Sequence, residues 1–238
     1  MRDCLPVLCI PGLACSPRLY AEQVPRLWEF GPVSIGQHGL HHTMADIARS
    51  ILANAPPRFA LIGLSMGGYV SFEILRQAPD RVAKLALLDT SARPDTPEQS
   101  ANRRVQIERA ANTPLTTIVD AMFPRLVHAT RRGDERLRGL FRQMAEETGA
   151  TGFIRQQTAI LGRPDSRPDL AAIRCPTLVL VGEGDQLTPP PIAAEIAQGI
   201  TGARLVQIAG AGHASTLEEP EQVTDALVQW MRDFPALR

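Results

Sequence analysis

Short apolar runs at residues 6–10, 32–35, 59–64, 82–89, 177–181 and 204–209 constrain this chain more than any other feature. Most are continuously apolar, with little alternation of period two. Strands that read this way are buried on both faces, as in a parallel sheet covered by helices. Helical stripes lie between them. Thr43 can N-cap a helix whose apolar face is Met44, Ile47, Ala48, Ile51 and Leu52, ended by Pro56-Pro57. Met66, Val70 and Ile74 repeat at i, i+4 before Pro79 stops them. Thr188 can N-cap a helix entered through Pro189–191, with Ile192, Ile196 and Ile200 on one face. Pro220 opens a last helix with Val223, Leu227, Trp230 and Met231 on its buried side. Strand and helix alternating in this way predict a doubly wound α/β sheet.

Composition narrows the function classes. The chain has 238 residues and zero formal net charge, so nucleic acid is not an expected partner. Lys84 is its single lysine, the other basic residues being arginine, which reads as coding bias. No run approaches the roughly 18 apolar residues that suggest a membrane span. The apolar N-terminal stretch is broken by Pro6 and Pro11 and preceded by Asp3, which suits a first strand and not a signal peptide. Cys4, Cys9, Cys15 and Cys175 form no CxxC pair and no zinc spacing. Free thiols and a cytoplasmic location are expected, as are no metal and a monomer or homodimer.

Three polar residues follow three of the apolar runs. Ser65 ends one, inside Gly63-Leu-Ser-Met-Gly67; Asp185 lies in Gly182-Glu-Gly-Asp-Gln; His213 lies in Gly210-Ala-Gly-His. Parallel sheets build their sites where strands deliver their carboxyl ends. A serine hydroxyl is a weak nucleophile that needs a base, histidine titrates near neutrality, and a carboxylate orients the imidazole. The residue after a nucleophile at a strand-to-helix turn, here Met66, offers a backbone N–H to an oxyanion. Simpler readings stay open for each: a small residue at a tight turn for Ser65, a turn cap for Asp185, a backbone-bonded loop residue for His213. Glu183 and Asp89 are rival positions for the acid.

Gly63-Leu-Ser-Met-Gly67 matches G-x-S-x-G between a strand and a helix, the context that motif requires. With "GEGDQLTPP", "GAGHASTLEEPE" and "PDRVAKLALLDTSA", the chain resembles the α/β-hydrolase superfamily over nearly its whole length. The resemblance implies a mostly parallel sheet of about six strands, shortened at the start because five residues cannot form the antiparallel hairpin members often carry. It implies a second oxyanion donor from the loop after the first strand, pointing to the N–H of Leu13. Here Pro11-Gly12 stands where members usually carry His-Gly. It further implies a cofactor-free serine hydrolase similar to small carboxylesterases, enol-lactonases and haloperoxidase-like esterases, acting on a small ester or lactone. The same residue set also serves carbon–carbon hydrolases or lyases of the menaquinone-pathway type, and slow-turnover receptors.

Residues 94–168 break the alternation. Helical patterns at 98–111, 115–129, 135–148 and 151–161 predict an all-helical cap inserted into a core of residues 1–93 and 169–238. Its arginines read mainly as a solvated face, with Arg103, Arg125 or Arg155 available to an anionic substrate. Met122, Phe123 and Phe153 are candidates for the cap core or for substrate contact. His38, His41 and His42 cluster after the second run, and are expected as loop residues near the site mouth.

Overall fold

A computed structural model of the chain describes residues 4–233; residues 1–3, Asp3 among them, and 234–238 lie outside it. The strands are β1 (Val7–Ile10), β2 (Val33–Ile35), β3 (Phe59–Leu64), β4 (Val82–Leu88), β5 (Thr177–Gly182) and β6 (Arg204–Ile208). They form one parallel sheet in the order β2-β1-β3-β4-β5-β6. The chain builds outward from β1 to β2, then returns to the other side of β1 for β3. That reversal opens a crevice between the carboxyl ends of β1 and β3.

Helices cover both faces: α1 (Val24–Leu27), α2 (Met44–Asn54), α3 (Met66–Gln77), α7 (Pro190–Gly199), α8 (Ser215–Glu218) and α9 (Pro220–Asp233). Alternate strand residues serve opposite cores. Val7, Cys9, Ile62, Leu64, Leu88 and Leu180 pack with Leu227 and Trp230 of α9. Leu8, Ile10, Leu61, Leu87 and Val181 pack with Ile47 of α2, Val70 of α3 and Ile196 of α7. Two-sided burial is why these strands read as unbroken apolar runs. Lys84 is a buried exception on β4. Its ammonium donates to the carbonyls of Trp230 (3.3 Å) and Met231 (2.7 Å) near the end of α9, and burial lowers its pKa to about 8.

Between β4 and β5 stand α4 (Pro97–Ala110), α5 (Leu115–Leu126) and α6 (Glu135–Leu161), with α6 packed on both others. Thr96 and Gln99 form a reciprocal capping box at the start of α4. The two helical patterns 135–148 and 151–161 meet at Gly149, where φ 68 kinks α6. Two expectations are corrected. Helix α5 stops at Leu126, because Val127 turns extended after Pro124. Thr188 does not N-cap α7; Pro189 holds that position, and the Thr188 hydroxyl is taken by Asp185 at 2.7 Å.

Candidate active site

Ser65 sits where β3 passes into α3. Its backbone is left-handed (φ 54, ψ −114), a conformation costing about 1–3 kcal/mol that surrounding structure must enforce. Glycine is required on both sides. A Cβ on Gly67 would meet the Ile10 carbonyl, and one on Gly63 would meet the Gly67 carbonyl. Ala14 (φ 56) and Asp89 (φ 44) are the other non-glycine residues with positive φ among those described. They follow β1 and β4, the strands on either side of β3, so strain gathers around Ser65.

The Ser65 Oγ lies 2.8 Å from His213 Nε2, and His213 Nδ1 lies 2.8 Å from Asp185 Oδ2. Because the carboxylate accepts, Nδ1 carries the proton and Nε2 offers its lone pair to the serine hydroxyl. Asp185 is further held by the amides of Leu187 (2.7 Å) and Thr188 (3.0 Å) and by the Thr188 hydroxyl. Its burial favours the neutral acid, but the charge and hydrogen bond of His213 and the Thr188 donors outweigh this and hold the pKa low. Burial likewise lowers the His213 pKa, yet Asp185 reverses that and leaves it raised. A base of raised pKa aimed at a hydroxyl can take its proton.

The rival acids do other things. Glu183 is exposed. Asp89 is fully buried, accepts from the Gly182 amide at 2.8 Å and from the Ser215 hydroxyl, and has no hydrogen bond to His213. It ties the Asp185 loop to the His213 loop. Its pKa is raised, first by burial and then by the Asp185 charge. Glu218, unremarked in the sequence, accepts from the amides of Gly212 (2.8 Å) and His128 (2.6 Å) and so anchors the His213 loop to the end of α5. The double glutamate in "STLEEPE" was the signal available for it.

The loop after β1 passes beside Ser65. The Gly12 Cα faces the Ser65 side chain closely enough that an added Cβ would stand 3.6 Å from the serine Cβ. The amides of Leu13 and Met66 have no protein acceptor among the described residues, whereas that of Ala14 donates to Gln156 Oε1 at 3.0 Å. His38 is buried, not at the site mouth; its Nε2 donates to the Gly12 carbonyl at 2.9 Å, and burial keeps its pKa low. His41 is half-buried and His42 exposed, and the described residues contain no metal-ligating group of three.

A cavity of about 280 Å³ opens over Ser65 and His213, small for a ligand site. Met122, Arg125, Arg103 and Leu13 line it. Phe123 and Phe153 do not, which corrects their candidacy. Both are fully buried on the inward sides of α5 and α6, with Phe123 edge-on to Phe141 at 5.7 Å, and it is Phe141 that reaches the cavity. Arg155 is exposed on α6 and away from the cavity.

This sheet, with its serine turn, is the architecture of the α/β hydrolases. A model of the alpha/beta hydrolase family matches residues 7–226, and the chain belongs to that family. Among solved structures it is similar to a thermophilic esterase from Thermogutta terrifontis, with 34% identity, 96% of this chain and 89% of that one covered, and a TM-score of 0.87. It is also similar to the enol-lactonase from Burkholderia xenovorans LB400, with 25% identity, coverage of 97% and 92%, and a TM-score of 0.85. A curated relative, the AB hydrolase superfamily protein YisY of Bacillus subtilis, is 28% identical over 201 residues, covering 80% of this chain and 73% of its own. No helix among the described residues is long and apolar enough to cross a membrane.

Proposed function

We propose that the protein is a serine hydrolase that cleaves a small carboxylic ester or lactone through an acyl-enzyme. One observation carries the reading: the continuous hydrogen-bond path from Ser65 through His213 to Asp185, open to a small cavity. Ser65 attacks the acyl carbon as His213 takes its proton. The N–H groups of Met66 and Leu13 hold the oxyanion. His213 then protonates the leaving alkoxide and next activates water, while Asp185 keeps the imidazole oriented and supports its charged form. Residues 94–168 form the cap that closes the cavity, and the reaction requires no cofactor. The esterase and enol-lactonase likenesses support the choice of acyl chemistry.

A fluorophosphonate probe tests the nucleophile. Labelling of the wild type and not of Ser65→Ala is expected; an unlabelled wild type would sink the proposal. A panel of short-chain esters and lactones then tests the chemistry. Turnover well above background is expected. Tight binding without turnover would point to a receptor, and cleavage confined to carbon–carbon substrates would point to that branch.

A further inference from the structure

Arginine reaches the wall of the cavity over Ser65 at four places, Arg93, Arg103, Arg125 and Arg163, while no Asp or Glu among the described residues does. The chain has equal numbers of acidic and basic residues, 25 of each, so richness in arginine does not explain a wall without acids. Carboxylates behind the wall neutralise only part of this charge. Arg93 is bidentate on Glu195, through Nε at 2.8 Å and Nη2 at 3.1 Å. Arg103 and Arg163 share one carboxylate: Arg103 Nε is 2.6 Å from Asp95 Oδ2, and Arg163 Nη1 is 2.7 Å from Asp95 Oδ1. These three side chains are 17%, 7% and 3% exposed for Arg103, Arg163 and Asp95, so the cluster holds a surplus positive charge largely out of water. Arg125 has no carboxylate partner among the described residues.

Two of these guanidiniums are fixed in place. Arg163 stacks over the Tyr69 ring at 4.2 Å and donates to the Arg93 carbonyl; Arg103 donates to Gln157 Oε1 at 2.8 Å. They supply a standing positive field. Arg125, on the last turn of α5, is the one left able to form a new forked pair with an incoming anion. The surplus positive charge of the largely buried Arg103–Asp95–Arg163 cluster is stabilised by a ligand that brings the missing negative charge.

We propose that the substrate is an ester or lactone bearing a second, carboxylate group, gripped by Arg125 within the field of the Arg103–Asp95–Arg163 cluster. This deepens the ester-hydrolase reading and rests on it. A carboxylate matches the planar guanidinium fork of Arg125, and a short diacid half-ester is of a size with a cavity of about 280 Å³.

The test compares monomethyl glutarate with dimethyl glutarate, which differ in one negative charge. The wild type should show kcat/KM at least about tenfold higher for the half-ester, the size of one charged hydrogen bond. Arg125→Gln should lower that ratio by a similar factor, and added salt should raise KM for the half-ester alone. Arg155→Gln should leave the ratio unchanged. A wild-type ratio at or below one, or a ratio insensitive to Arg125→Gln, overturns the proposal. Calorimetric titration of Ser65→Ala protein with glutarate and with neutral glutaramide reads the anion site without catalysis. Binding of glutarate alone, weakened by Arg125→Gln, is expected; equal or absent binding of both counts against the site. If esters are not cleaved but glutarate binds, the hydrolase reading fails and the anion site stands; charge-blind cleavage without glutarate binding is the reverse.

Discussion

Gln156, in the second half of α6, accepts the amide of Ala14 at 3.0 Å and so suspends the loop after β1 from the inserted helices. His38 holds the same loop at the Gly12 carbonyl. Ala14 is at φ 56, a conformation that relaxes when its restraints go. Gln156→Leu should therefore misplace the Leu13 N–H. The expected result is a fall in kcat of roughly 10- to 100-fold with a smaller change in KM. Steady-state kinetics checks this, with a melting curve to confirm folding; an unaltered kcat would mean the loop stands without Gln156.

In the proposed mechanism His213 must be neutral to accept the Ser65 proton. Burial depresses its pKa, but the Asp185 charge and hydrogen bond leave it above the usual 6.5. Hydrolysis of a neutral ester should thus rise with pH through a midpoint above 6.5. Asp185→Asn removes the raising partner, so its residual activity should show a midpoint shifted to lower pH. A pH–rate profile of kcat/KM decides; a midpoint that does not move would contradict the pairing.

Two buried aspartates stand near His213, and only Asp185 bonds to it. Asp185→Asn should lower kcat by roughly 10⁴-fold. Asp89→Asn should retain most activity, because an amide can still accept from Gly182 and donate to Ser215. Activity lost in the second variant and kept in the first would reverse the assignment.

Asp89 also bears on stability. Its pKa in the fold is raised above the usual 3.8, chiefly by burial. Its stabilising contribution is complete below the unfolded pKa and is lost as pH rises through the folded one. Asp89→Asn, neutral throughout, should gain stability relative to the wild type as pH rises from about 4 to the folded pKa of about 8. Melting temperatures across that range measure the difference, and parallel curves for the two proteins would show that Asp89 carries no such linkage.

Trp230 is fully buried on α9 and donates to the Pro176 carbonyl at 3.3 Å, joining the last helix to the entry of β5. Trp230→Ala should cost about 3–5 kcal/mol in urea unfolding. A loss under about 1 kcal/mol would mean that the core collapses around the gap.

The residues read most easily from the sequence were those with local causes. The central strands β1, β3 and β5 are apolar almost throughout because both their faces are covered, and β4 departs only at Lys84. The edge strands β2 and β6 carry Ser34, Arg204 and Gln207 where they are less covered. Ser65, Asp185 and His213 each announce themselves through glycines, since a backbone that must turn hard after a strand tolerates little else there. Thr188 misled for the opposite reason. A threonine before prolines is a good N-cap by local rules, but its hydroxyl is spent on Asp185.

By itself, then, the sequence determined the alternation of buried strands and helices, the six-stranded parallel sheet and the family. It also determined the serine, aspartate and histidine at three strand ends, because hydrophobic period, turn residues and motif spacing act over a few residues at a time. Tertiary structure alone decided which of Asp89 and Asp185 faces His213, and that His38 and Gln156 brace the loop after β1. It also decided which residues of the inserted helices reach the cavity, among them Arg103, Met122 and Arg125, with Phe141 in place of Phe123. Those outcomes depend on distances between segments as far apart as Ala14 and Gln156, and no local pattern encodes the side of a helix that another segment will cover.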